Sequence, residues 1–307
     1  MTSIEAQKSE PNALAGLQLA RHLNPYPPQH WLYTPTLDER IERLQSVSID
    51  DVKRCHDEFY GASNSELAVV GDFDPEEITR LAEELFGDWR SPKLFARIAN
   101  RYHDEPAINR DLVTPDKANA VFQAGLNLKL RDDDPDYPAL ALGNYLLGGS
   151  SDTRLARRIR EQEGLSYSVR SWLSAGSIDA VGEFGISAIY APQNRGRIEA
   201  QILDVLQQAL REGFAEDEVA AAKKGYLASR KLSRTQDAAL VGRLANNLYL
   251  GRSLAWDGKF DARIAALEPQ QIQDALKRRI DTQKLSIVKA GDFARVAGND
   301  KPVQSKN

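Results

Sequence analysis

Residues 8–73 and residues 234–293 of this chain carry the same succession of patterns, and a repeat of that length constrains the architecture before any single residue does. Lys-Ser-Glu-Pro-Asn-Ala-Leu-Ala-Gly-Leu from Lys8 aligns with Arg-Thr-Gln-Asp-Ala-Ala-Leu-Val-Gly-Arg from Arg234, with a one-residue shift of register inside the stretch. Leu37-Asp38-Glu39-Arg40-Ile41 matches Phe260-Asp261-Ala262-Arg263-Ile264. Leu67-Ala68-Val69-Val70-Gly71-Asp72-Phe73 matches Leu285-Ser286-Ile287-Val288 followed by Gly291-Asp292-Phe293. Each copy reads as helix, turn, helix and a short β-branched strand closing in Gly-Asp-Phe, at an offset of about 220 residues. Each is the closing half of a domain.

The second copy follows about 120 residues, 107 to 230, that supply its opening half; the corresponding half of the first copy is expected upstream of residue 1. The sequence therefore predicts one and a half domains. Residues 1–90 are a closing half, 91–106 a linker in which Pro92 interrupts regular structure and Pro106 ends it, 107–296 a complete domain, and 297–307 a polar, patternless and flexible tail. Inside the complete domain, periodicity predicts strands over 118–128, 167–174 and 180–189. It predicts helices over 137–147, 151–163, 196–213, 216–232 and 237–248. Intermixed strands and helices give an α+β class, a mixed and largely antiparallel sheet with helices packed on one face.

With 307 residues, 42% of them hydrophobic, the chain can bury a sizeable core. Its net charge of −4 comes from interspersed acids and bases, which argues against nucleic acid as a partner. No apolar run reaches the roughly 18 residues of a membrane span, and the first ten residues lack the order of a signal peptide. One cysteine, Cys55, excludes an intramolecular disulfide and any multi-cysteine metal site.

The densest chemistry lies between 146 and 170. Gly148-Gly149 ends a helix, Ser151 or Asp152 is expected to cap the next, Arg154, Arg157, Arg158 and Arg160 ride on it, and Gly164 stops it. The string Leu-Gly-Gly-Ser-Ser-Asp-Thr-Arg-Leu-Ala-Arg-Arg-Ile-Arg-Glu-Gln-Glu-Gly-Leu-Ser-Tyr-Ser-Val from Leu147 resembles the second-domain signature of the pitrilysin/insulinase family of zinc peptidases, the inverzincins. Val69-Val70-Gly71-Asp72 resembles the strand that closes the family's domains, and Asn24-Pro25-Tyr26-Pro27 its helix-joining loop. The resemblance implies that Arg160, and Tyr167 seven residues later, face an enclosed active-site chamber. The zinc of that chamber sits on His-Xaa-Xaa-Glu-His in the opening half of another domain. An arginine is permanently charged and can donate to a peptide carbonyl, and a phenol can donate to the oxyanion that forms during peptide hydrolysis.

The departure from the family is as informative. His22, His30, His56 and His103 are scattered, and none begins His-Xaa-Xaa-Glu-His. The helix at the place of the zinc motif, Ala139 to Leu147, offers no imidazole or carboxylate. The chain is thus expected to hold no metal and no catalytic residue of its own, with zinc in the missing half or on a partner, and to be inactive alone.

Plainer readings stand beside these. Arg160 could be a solvated arginine on a basic face, supported by Arg157 and Glu161 at i,i+4, and Tyr167 a strand aromatic beside Leu165 and Val169. Cys55-His56 cannot act as nucleophile and base, because helix neighbours diverge. Asp132-Asp133-Asp134 before Pro135 reads as a turn, and His103-Asp104-Glu105 as linker polarity. Gly148-Gly149 lacks the Gly-Lys-Ser/Thr of a phosphate loop.

The expectation is a non-metal-binding C-terminal portion of a peptidase, partnered by a zinc-bearing domain or subunit and acting on peptides. The rival is an inert scaffold or assembly subunit of the same fold. A self-sufficient, metal-free enzyme has no recognisable nucleophile and base behind it. The compartment stays open, although the resemblance leans toward the bacterial periplasm.

Overall fold

The computed structural model describes residues 1–294; the expected tail, and the last two residues of the expected complete domain, lie outside them. In chain order the helices and strands are α1 (Thr2–Gln7), α2 (Pro11–Leu23), α3 (Leu37–Ser46), α4 (Ile49–Phe59), α5 (Pro75–Phe86), β1 (Asn109–Val113), β2 (Ala120–Leu128) and α6 (Tyr137–Leu147). A π-helical segment, Ala156–Gln162, precedes β3 (Ser166–Ala175), β4 (Gly182–Tyr190), α7 (Arg195–Glu212), α8 (Glu216–Ser233), α9 (Asp237–Tyr249), α10 (Leu254–Ala266), α11 (Pro269–Arg279) and β5 (Ser286–Gly291).

Spatially, the chain divides into two units that do not follow sequence order. The first joins Met1–Ile41, Asn100–Lys223 and the described residues from Ala266 to 294. Its sheet runs β1-β5-β2-β4-β3, with β1 parallel to β5 and every other pair antiparallel. β2 lies at the centre because apolar residues occupy both of its faces, and β5 is buried at all six positions between β1 and β2. Phe122, Phe184, Ile186 and Tyr190 share one face of the sheet and are buried, as are Leu140 and Leu142 of α6, Ile198 and Ile202 of α7, and Ile272 of α11. Burying each such side chain fully contributes about 1.5–3 kcal/mol.

The helices expected on one face are there, and α2 is added on the other. Ala15, Leu19 and Leu23, one turn apart, form a buried cluster with Val288 and Ala290 of β5. A helix of the first repeat copy thus seals the sheet that the second copy closes. The Asn24-Pro25-Tyr26-Pro27 loop after it clasps the irregular join: Tyr26 donates to Asn100 Oδ1 at 2.7 Å, accepts from the Arg101 amide at 2.9 Å and packs edge-on against His103.

The second unit joins Glu42–Ala99 to Lys224–Ala265. Ser48 and Asp51 form a capping box on α4, and the Asp74 carboxylate caps α5. The β-branched segment before Gly71-Asp72-Phe73 is irregular rather than a strand. A strand exists only beside a partner, and among the described residues none runs alongside it, whereas β5 has one on each side. Leu67, Val69 and Phe73 are exposed and line an apolar groove of about 770 Å³ with Ile78, Phe86 and Trp89.

Candidate functional site

The arginine-bearing segment is placed by close packing at both ends. After α6, Gly148 accepts from the Ser171 amide of β3 at 3.0 Å, and a Cβ at Gly148 would lie 2.5 Å from that nitrogen. Thr153, fully buried, then receives the Ala156 amide on its hydroxyl. The cap is therefore Thr153 and not Ser151 or Asp152, because only Thr153 faces the new helix from inside. Leu155, Ala156 and Ile159 anchor the segment in the core. Its hydrogen bonds close over a wider ring than an α-helix, a geometry that recurs at functional sites. Gly164 ends it at φ +60°, in the left-handed region that favours glycine, while the Leu165 amide reaches back to Ile159 O.

The four arginines separate by what they touch. Arg154 grips Glu218 of α8 through Nε at 3.2 Å and Nη2 at 2.7 Å and lies over the Phe214 ring, and it holds the Glu218 carboxyl below its ordinary pKa. Arg157 pairs with Asp152 and Glu218, not with Glu161. Arg158 donates to Gln201 of α7 and pairs with Glu163. Arg160, among the described residues, pairs only with its neighbour Glu161, at 2.9 Å, with both side chains about half exposed. Three of the arginines brace the segment, and one is presented.

Tyr167 is presented by a second irregularity. β3 is the sheet edge, and its register slips between Ser166, opposite Tyr190, and Ser168, opposite Ile189. Tyr167 is the extra residue of that bulge, 92% exposed, and bulges re-aim side chains in this way. The buried Ser166 hydroxyl fixes it by donating to Ile189 O at 2.6 Å and accepting from the Ser168 amide at 3.1 Å. Arg160 and Tyr167 stand on either side of the Gly164 turn, and their side chains make no hydrogen bond with each other.

Sequence reasoning missed Glu183 on β4. It is half-buried, takes the Trp172 indole N–H at 3.3 Å, and burial holds its carboxyl above the ordinary 4.5. The folded state then binds this proton more tightly than the unfolded chain. The group costs stability as pH rises above about 4.5 and costs none below. Glu183→Gln is expected to raise the melting temperature at pH 7.5 and to leave it unchanged at pH 4; the same shift at both would refute the burial argument.

The other singled-out groups are spoken for or isolated. Asp134 and Asp136 receive Arg279 and Arg278 of α11, Asp133 receives Arg131, and Asp132 receives the Ser177 hydroxyl. Asp104 pairs with Lys284 at 2.7 Å, and Cys55 is exposed while His56 stacks on Tyr60. Among the described residues no group of three or more His, Cys, Asp or Glu is placed to hold a metal ion. Nor is any helix among them long and apolar enough to cross a membrane. The described residues do not fit a zinc ion.

A family model described as the peptidase M16 inactive domain matches residues 46–226. The chain is 26% identical over 249 residues to an uncharacterized zinc protease of Streptomyces coelicolor, covering 78% of this chain and 53% of that one. It is 20% identical over 246 residues to a non-peptidase homolog of Helicobacter pylori, covering 80% and 56%. The crystal structure of a peptidase M16 inactive domain from Pseudomonas fluorescens superposes with a TM-score of 0.77 at 24% identity, over 95% of this chain and 68% of that one. The chain spans about half the length of the curated relatives it matches.

Proposed function

Since the chain belongs to the M16 peptidase family, in the part described as its inactive domain, we propose that it is the non-metal-binding portion of a zinc peptidase and serves a zinc-bearing half in trans. One observation carries the reading. The two positions singled out by the signature, Arg160 and Tyr167, are those that a π-helical segment and a β-bulge turn away from the core. Arg154, Arg157 and Arg158 are held by Glu218, Asp152, Gln201 and Glu163, whereas Arg160 has an exposed pair with Glu161 and Tyr167 is exposed, so these two have donors to offer a ligand.

In this role Arg160 grips a carbonyl of an extended peptide, and Tyr167 donates its phenolic hydrogen to the oxyanion formed as the peptide bond is attacked. Zinc, held by the other half, supplies Lewis-acid chemistry. Glu161 keeps Arg160 extended until peptide arrives, at the small cost of releasing an exposed ion pair. The similarity to a zinc protease supports an active assembly. The similarity to a non-peptidase homolog supports the rival, an inert scaffold of the same fold.

Reconstitution tests the proposal. The purified chain is expected to carry no stoichiometric zinc and to leave a quenched peptide intact, and cleavage is expected on adding a zinc-bearing half. One tightly bound zinc per chain, or cleavage by the chain alone, would overturn it.

A further inference from the structure

We infer that Glu183 and Trp172 form a subsite for a cationic side chain, lysine or arginine, of a peptide laid along the open sheet face that leads away from Tyr167. This subsite presupposes the peptide-binding role of Tyr167 and names the peptides that the chain prefers.

The register sets out that face. Ile189, Ser187, Gly185 and Glu183 of β4 stand beside Ser168, Arg170, Trp172 and Ser174 of β3. The other face of β4 is buried throughout, whereas here Ile189 is exposed and Ser187, Trp172 and Glu183 are half-buried. On the same side of the sheet α2 covers Val288 and Ala290 of β5 and reaches Gly125 of β2, where a Cβ would lie 2.7 Å from Leu23 Cδ1 and 3.5 Å from Glu183 Oε1. Gly185 is the register partner of Gly125, and the Trp172 ring lies across it, 2.1 Å from where a Cβ would stand. Two facing glycines thus let a carboxylate and an indole lean together over bare backbone.

The pair has the chemistry of a cation site. An ammonium or guanidinium over an indole face is attracted to the ring, and a half-buried carboxylate supplies the opposite charge. Among the described residues the only donor to the Glu183 carboxylate is the Trp172 indole N–H, and no cation of the chain stands close enough to act on it. Arg170, on the same face, donates to Ser187 instead. The fold holds this charge at a cost in stability, and a charge kept without an internal partner points to an external one. From Tyr167 to Ser174, which is opposite Glu183, β3 spans about 20 Å, so an extended peptide that reaches the one meets the other about six residues further on.

Fluorescence anisotropy of labelled peptides on the 307-residue chain tests this without any zinc-bearing half. An uncharged peptide with one lysine is expected to bind about 10-fold or more tightly than the same peptide with glutamine there, the range of a hydrogen bond to a charged group. Glu183→Gln is expected to abolish the difference without lowering the melting temperature, and Glu183→Asp, which keeps the charge, to retain part of it. Equal binding of the two peptides, binding of neither, or a preference that survives Glu183→Gln would overturn the inference. So would a lowered melting temperature in Glu183→Gln, which would assign the carboxylate to the fold. No peptide is cleaved here, and the peptidase reading stands or falls by the reconstitution, so the two failures are distinguishable.

Discussion

Asp257→Ala is expected to destabilise the unit formed by Glu42–Ala99 and Lys224–Ala265 by about 3–5 kcal/mol. Asp257 is 2% exposed and accepts from Arg243, from Arg230 at 3.4 Å and from Asn247 Nδ2 at 3.3 Å. Arg230 also reaches Asp261, which holds Arg234 at 2.7 Å, and its guanidinium lies over the Phe260 ring. Three arginines therefore share two carboxylates, and deleting Asp257 leaves the half-buried Arg243 without its carboxylate and Arg230 and Arg234 sharing Asp261. The size of the loss reflects that uncompensated charge rather than the worth of one ion pair; an exposed pair such as Arg131 with Asp133 contributes at most about 1 kcal/mol. Trp256 stacks on Phe260, so urea unfolding followed by tryptophan fluorescence reads the unit once Trp31 and Trp172, which lie in the other unit, are replaced by Phe in both backgrounds. A loss below about 1 kcal/mol would mean that the network behaves as a solvated one.

Arg160→Ala is expected to raise KM of the assembled peptidase roughly 10- to 100-fold, the range for losing a hydrogen bond to a charged donor, with a smaller effect on kcat. The same substitution should leave the melting temperature of the chain unchanged, because Arg160 pairs only with the exposed Glu161 among the described residues. That split separates a role in gripping substrate from a role in folding. Arg154→Ala is the contrast: it breaks the two-point contact to Glu218 and the stack on Phe214, and should cost stability first. Unchanged KM in Arg160→Ala would show that Arg160 does not grip the substrate.

Much of the stretch expected as a complete domain is legible in the sequence because its signals are local. The helix expected over 137–147 is α6 to the residue, and the strands expected over 118–128, 167–174 and 180–189 are β2, β3 and β4 with ends moved by two residues or fewer. Glycine stops, proline starts and two-sided apolar runs carry that information. What was not legible depends on distant neighbours. β1, Asn-Arg-Asp-Leu-Val, has the composition of a loop and is a strand only because β5 offers it an edge. The cap moves to Thr153 because packing, not propensity, decides which hydroxyl faces the helix.

The site divides in the same way. The spacing of Arg160 and Tyr167 was visible, but not the means of their display. The π-helical closure depends on Ile159 being held in the core, and the bulge depends on the Ser166 hydroxyl reaching Ile189 on the next strand. Residues 67–73 show the converse, a local strand signal without a partner to realise it. The repeat announced α2 as a helix, yet only the fold reveals that it seals a sheet closed by the other copy.

The central claim, that this chain lends a transition-state donor to a zinc site it does not hold, is met most directly by Tyr167→Phe. The substitution removes one hydroxyl from a side chain 92% exposed at a bulge and leaves the fold's contacts in place. The measurement is single-turnover cleavage of a quenched peptide by the assembled protein, with zinc content matched between wild type and variant. The account predicts a rate lower by about 10²- to 10³-fold, the loss typical of one oxyanion donor, with peptide affinity unchanged. Equal single-turnover rates would contradict it.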